Sequence, residues 1–177
     1  MRRPKYNDLK YQTFRSEARR LAFDLVQTEP AFQREGIDPA LIRYEPVTQD
    51  AINASLLWGE EATLYPWEDV PSWKAKDKKC FDLSLWYDVE LCGLCFATPK
   101  GSAICLKIVL LEGKPDRTHP LRGLVAPLSL LAIDNYARML GCQEIEILDP
   151  DPGAIDWYRE LEFDYDADRR LVIPVGA

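Results

Sequence analysis

The stretch RGLVAPLSLL, residues 122–131, places an arginine and a glycine directly ahead of an apolar helix. That arrangement suits an anion. The opening N–H groups of a helix have no internal partner, and the helix dipole favours negative charge there. A tight backbone cradle for phosphate would carry further glycines. This one has Val125, which adds a Cβ where close approach is wanted, and Pro127, which removes an N–H. Lys114, Arg117 and Arg122 supply compensating positive charge. The alternative is a plain helix start that holds no ligand.

Two other groupings could do chemistry. Cys92 and Cys95 spell C-x-x-C, but a zinc site needs about four ligands and the only histidine is His119. A redox pair of this spacing should open a helix, whereas these lie in a strand-like run. The five cysteines, an odd number, are therefore read as reduced core residues of a cytoplasmic protein, with no metal. Residues 144–168 hold ten Asp/Glu and one Arg. Such a rim would draw a cationic amine, or it is simply a solvated face.

The elements that position these residues follow from pattern. The chain has 177 residues, 47% of them hydrophobic, which suits one cored domain with an arm. The net charge is −7, yet the first 20 residues carry seven Lys/Arg against two Asp/Glu. The acidic body argues against a large nucleic-acid surface. No apolar run is long enough to span a membrane, and the start lacks the apolar segment of a secretory leader.

Residues 7–28 read as a helix whose apolar spacing, Phe14, Ala18, Leu21 and Leu25, predicts its buried face. Residues 1–40 form an N-terminal helical extension, and 41–177 the main domain. That domain opens with a short strand at Leu41–Tyr44 and a helix capped by Thr48 and ending near Gly59. A proline-broken stretch follows. FDLSLWYDV and ELCGLCFAT form a hairpin, and SAICLKIVLLEG is a central strand. A helix from Arg122 to Leu140 leads to the strand CQEIEIL. A D-P-D-P-G turn, a short helix and a final hairpin turning at Ala167 and Asp168 complete the chain. This is an α/β fold: a mixed, mostly antiparallel central sheet flanked by helices, with the N-terminal helical extension.

That order, with three local marks, resembles the GNAT N-acyltransferase superfamily. IRYEPVTQDAINASLL is similar to its opening strand and helix. RGLVAPLSLL falls in register with its R-G-x-G-x-G cofactor motif. DPGAIDWYRELEF resembles N-x-x-A-x-x-x-Y-x-x-x-G-F, with Ala154, Tyr158 and Phe163 matching, Asp151 standing for the Asn and Glu162 for the Gly. The resemblance spans about residues 41–175.

It implies an acyl-CoA N-acyltransferase fold with acetyl-CoA or another acyl-CoA as co-substrate. The donor's diphosphate would sit on Arg122, Gly123, Leu124, Val125 and Ala126, with Arg117 nearby. Its pantetheine would lie in a wedge beside Leu110 and Leu111 and reach towards Asp151. Tyr158 would be the general acid, or a core aromatic beside Trp157; Glu112 would be the base, or a solvated strand end. Asp149 or Asp151 would orient an amine, or serve only the turn. His119 would be a base, a phosphate partner or a surface-loop residue.

The expected reaction is attack by a small-molecule or peptidyl amine on the thioester, in a protein that is a possible homodimer. Two alternatives stand beside it. One is a catalytically inactive binding module; the other is a transferase that takes a carrier-bound acyl group.

Overall fold

The computed structural model describes residues 6–59, 61, 62, 65–116 and 118–176. Seven strands form one sheet in the order β1-β2-β3-β4-β5-β7-β6. They are β1 (Ile42–Glu45), β2 (Phe81–Tyr87), β3 (Glu90–Thr98), β4 (Cys105–Gly113), β5 (Glu144–Ile147), β6 (Asp164–Tyr165) and β7 (Leu171–Pro174). Neighbours are antiparallel except β4 and β5, which run parallel and are joined through α4 (Val125–Leu140). The other helices are α1 (Tyr6–Thr28), α2 (Gln49–Leu56), α3 (Val70–Lys76) and α5 (Ile155–Glu160).

Successive side chains of β3 point to opposite faces, and the core divides accordingly. Cys95 and Ala97 join α1 and α4 on one face, while Leu94 and Phe96 join Trp67, Val70 and α2 on the other. Both faces of the central strands are covered, which is why β3 reads as a near-continuous apolar run. All five thiols are free and buried. Burial with nearby carboxylates pushes Cys80 up to about 12, and burial with Glu90 pushes Cys92 up to about 11. Such thiols are poor nucleophiles and poor ligands.

The buried face of α1 differs from the expectation. Ala18, Ala22 and Val26 are fully buried, while Leu21 and Leu25 are 37% and 43% exposed. The small residues recur every fourth position and let α1 lie close on α4; the leucines fall outside that row. The helix capped by Thr48 ends at Leu56, earlier than Gly59.

Two contacts fix the layers. Asp82 of β2 is completely buried. β1 pairs only with residues 84–87, so at Asp82 the strand edge is open. Arg19 of α1 reaches that edge, donating to the Asp82 carbonyl (2.6 Å) and to its Oδ1 (3.0 Å). Oδ2 accepts from Lys74 of α3 (2.8 Å) and from the Val47 amide (2.7 Å).

The second contact seats α4. A Cβ placed on Gly93 of β3 would lie 2.5 Å from Val125 Cγ1, and one on Gly113 of β4 would lie 3.5 Å from Val125 Cγ2. The two glycines leave the space that the valine fills.

Arg19→Met should lower stability by about 3 kcal/mol, the low end for breaking a buried ion pair, because Lys74 still faces Asp82. A shift of the urea midpoint at unchanged slope would show it. Gly93→Ala should cost about 1–3 kcal/mol through overpacking. Adding Val125→Ala should recover most of that loss; purely additive losses in the double variant would contradict the assigned contact.

Candidate active site

β4 is paired on both sides only as far as Ile108. There it faces Ile147, and the Leu148 amide donates to the Ile108 carbonyl (2.9 Å). β5 then ends, while β4 runs on to Gly113 with β3 alone. A bulge adds to the parting: Phe96 pairs with Leu110 and Ala97 with Ile108, so Val109 is the extra residue. The chain leaves β5 through Asp149, whose φ of 45° turns it sharply. Between the parted strands lies a cleft of about 380 Å³. The start of α4 closes one end, and Trp157 and Tyr158 of α5 wall it.

Arg122 and Gly123 form a turn, and α4 begins at Val125 rather than at Arg122. Gly123 has φ +76°, a conformation that favours glycine. The helix has no side-chain cap and no acidic residue in its first turn. The Leu124 amide donates to Leu121. Among the described residues, the amides of Gly123, Val125 and Ala126 meet no acceptor. Pro127 removes one donor from this set. The Val125 side chain goes down onto Gly93 and Gly113, so its Cβ does not occupy the space where an anion would meet those amides.

The expected residues are distributed as follows. Arg122, Gly123, Val125, Ala126, Leu111, Glu112, Asp151 and Tyr158 all line the cleft. Leu110 does not: the bulge leaves both Val109 and Leu110 with the α2–α3 core, and Leu110 is 9% exposed. Leu124 packs on the core beneath α4. Arg117 lies outside the described residues. Lys114 lines the cleft but its ammonium faces Glu90 at 3.6 Å.

Glu112 is buried, and its Oε1 accepts a hydrogen bond from the Trp67 indole N–H (2.8 Å). Tyr158 is 7% exposed and packs edge-on against Phe163, with ring centroids 5.9 Å apart. Burial, and secondarily Cys95, Tyr65 and Asp151, push its phenol up to about 12. Its hydroxyl has no hydrogen-bond partner among the described residues. Asp151 accepts from the Gly153 amide (3.0 Å) and so serves the turn while lining the cleft. His119 is buried, against the surface-loop reading. Its Nδ1 has no partner among the described residues, and burial lowers its pKa, keeping the ring neutral near pH 7.

Three residues join the site without a signal in the sequence. Arg34, from the segment after α1, donates to the Arg122 carbonyl (2.6 Å) at the head of the turn. Trp67 holds Glu112. Tyr65 lines the cleft, its hydroxyl pushed up by burial and then by Glu112 and Asp151. All three are fixed by long-range packing that local pattern does not carry.

No family model matches the sequence, and no curated protein matches it. Solved structures do match. The ribosomal-protein-S18-alanine N-acetyltransferase of Escherichia coli is 14% identical, with 77% of this chain and 95% of that chain covered and a TM-score of 0.53. Ard1 of Thermoplasma volcanium is 11% identical over 77% of this chain and 99% of its own, with a TM-score of 0.55. An aminoglycoside 6'-N-acetyltransferase complexed with coenzyme A is 13% identical over 76% and 97%, also at 0.55. At such identities the likeness is one of architecture, and it agrees with the parted parallel strands and the crossover helix: this chain has the fold of the GNAT N-acetyltransferases.

Proposed function

We propose that the protein is an acyl-CoA-dependent N-acyltransferase acting on a cationic amine. The observation that carries this reading is the conjunction, in one cleft, of a strand edge released from pairing, a helix start with open amides and a protonated phenol. A coenzyme A complex of the same fold supports the choice of donor.

The residues present suit such a donor. The amides of Gly123, Val125 and Ala126 face the anion, with Arg122 and Arg34 adding charge at the turn. The unpaired edge of β4 beyond Ile108 offers backbone groups to the amides of an extended pantetheine arm, as an added strand would. The donor supplies an acyl group already activated as a thioester.

The protein's own part is proton handling. Glu112, an acceptor at the cleft floor, takes the proton that the ammonium must lose before its nitrogen can attack. Tyr158 returns a proton to the departing sulfur. The carboxylates of Asp149 and Asp151 at the mouth, with Asp156 and Glu160 on α5, favour a cationic acceptor.

Binding by the cleft should be visible directly. Acetyl-CoA at about 100 times its Kd should add about 2.7 kcal/mol, or roughly 5 °C or more in Tm for a chain of this size. No shift at millimolar donor would overturn the reading. A shift with acyl-carrier protein but not with CoA would favour the carrier-bound donor.

Tyr158→Phe should lower kcat by about 100-fold or more while leaving donor affinity unchanged. Full activity in that variant would remove Tyr158 from the chemistry. Because the phenol is raised to about 12, its proton stays in place through the ordinary tyrosine value of 10.0. The pH profile of kcat should therefore show no loss assignable to Tyr158 near pH 10. Donor binding without turnover on any amine would favour the silent binding module.

A further inference from the structure

We propose that a second cavity, at the opposite end of the sheet, binds a small molecule with an aromatic or aliphatic body and an anionic head. The cavity measures about 720 Å³. It lies where β3 ends at Thr98, where α4 ends at Leu140, and beside the first turns of α1 and the last turn of α3. The candidate donor cleft lies at the other end of α4, and Val109 is the one residue common to both linings among those described.

Its walls are apolar and flat. Tyr11, Phe14, Trp73 and Phe96 line it with Met139 and Leu140. Tyr11, Phe14 and Trp73 remain partly exposed, so ring surface is available to a ligand that the protein's own packing does not cover. Trp73 and Phe96 face each other at 5.2 Å between centroids, leaving a tilted aromatic wall.

Its rim is cationic, with four lysines against one carboxylate. Lys10, Lys76, Lys79 and Lys100 line the cavity and are exposed. Among the described residues none of them comes within ion-pairing distance of a carboxylate. Lys74 and Lys114 each have one, at 2.8 and 3.6 Å. The contrast matters in a chain of net charge −7. Lys10 and Lys79 instead lie over the Tyr11 ring at 5.7 and 5.6 Å, and Lys10 over Phe14 at 5.5 Å. The acid in the lining, Asp77, is turned to the Thr98 hydroxyl and to the Lys79 amide (3.1 Å). Four cations around a concave aromatic floor focus positive potential on it. An apolar body fills the floor, and a carboxylate, sulfonate or phosphate head meets the lysines.

This proposal does not rest on the transferase reading, and its test is separate. The probe is 8-anilinonaphthalene-1-sulfonate, titrated by fluorescence into the full chain, with N-phenyl-1-naphthylamine, the same body without the charge, as its control. One saturable site is expected, at least tenfold tighter for the sulfonate. Lys76→Glu/Lys100→Glu should weaken it tenfold or more at unchanged Tm, and the milder Lys76→Gln/Lys100→Gln pair should fall between. Displacement by dodecanoate would assign an aliphatic ligand; displacement by naphthoate alone would assign an aromatic one. Equal affinity of the neutral analogue, indifference to both lysine pairs, absence of a saturable site, or competitive displacement by CoA would each overturn the proposal.

Discussion

A strand cannot leave its backbone groups unpaired in a protein interior without another partner for them. Beyond Ile108 one edge of β4 is without a strand partner and borders the cleft instead, and the rest of the site is arranged around that fact. The bulge at Val109 bends the strand away from β5, the left-handed residue Asp149 takes the other strand out of reach, and α4 starts over the gap. What lines the gap is therefore backbone edge on one side and helix amides on another. Such a surface asks for an extended ligand with amide groups and a negatively charged end. The two side chains to which we assign acid and base chemistry in the proposed function, Tyr158 and Glu112, are buried at its walls and held by packing and by the Trp67 indole. They are not suspended on surface loops.

Asp82 plays the corresponding part for the scaffold. Its carboxylate takes a guanidinium from α1, an ammonium from α3 and an amide from the turn after β1. One buried charge thereby ties both helical layers to the second strand. Desolvation alone would lower the Arg19 pKa, and Asp82 opposes that fall. Helix α1 is thus fastened by an ion pair as well as by its alanine row, and the segment after it carries Arg34 to the turn at Arg122 and Gly123.

Much of this could be read along the chain. The β2–β3 hairpin, the central strand, the crossover helix and the closing hairpin lie in the order their alternation and breakers predict, because two-residue periodicity and Gly/Pro punctuation are local signals, although the helix starts three residues later, at Val125. The turn role of Asp151 was legible for the same reason. The bulge was not, since IVLLE is apolar at every position that could have marked it; hence Leu110 falls in the core and not in the cleft. The valine at 125 looked like an obstruction because the glycines that receive it sit on two other strands. Burial of His119 and the reach of Arg34 depend on contacts across the fold, which composition and spacing do not encode. On α1, leucines looked like the buried face, but close helix packing selected the smaller side chains beside them.

The ion pair at Asp82 also bears on the order in which the chain is secured. Arg19 lies 63 positions before its partner, and Asn135 of α4 bonds back to the Ala18 carbonyl across 117. A polypeptide emerging from the ribosome presents α1 before these partners, so its alanine row and its arginine have nothing to dock on until the strand at 82 and the helix after 125 have been made. Helix α1 is thus held in waiting, and its docking depends on contacts of long sequence separation that close late.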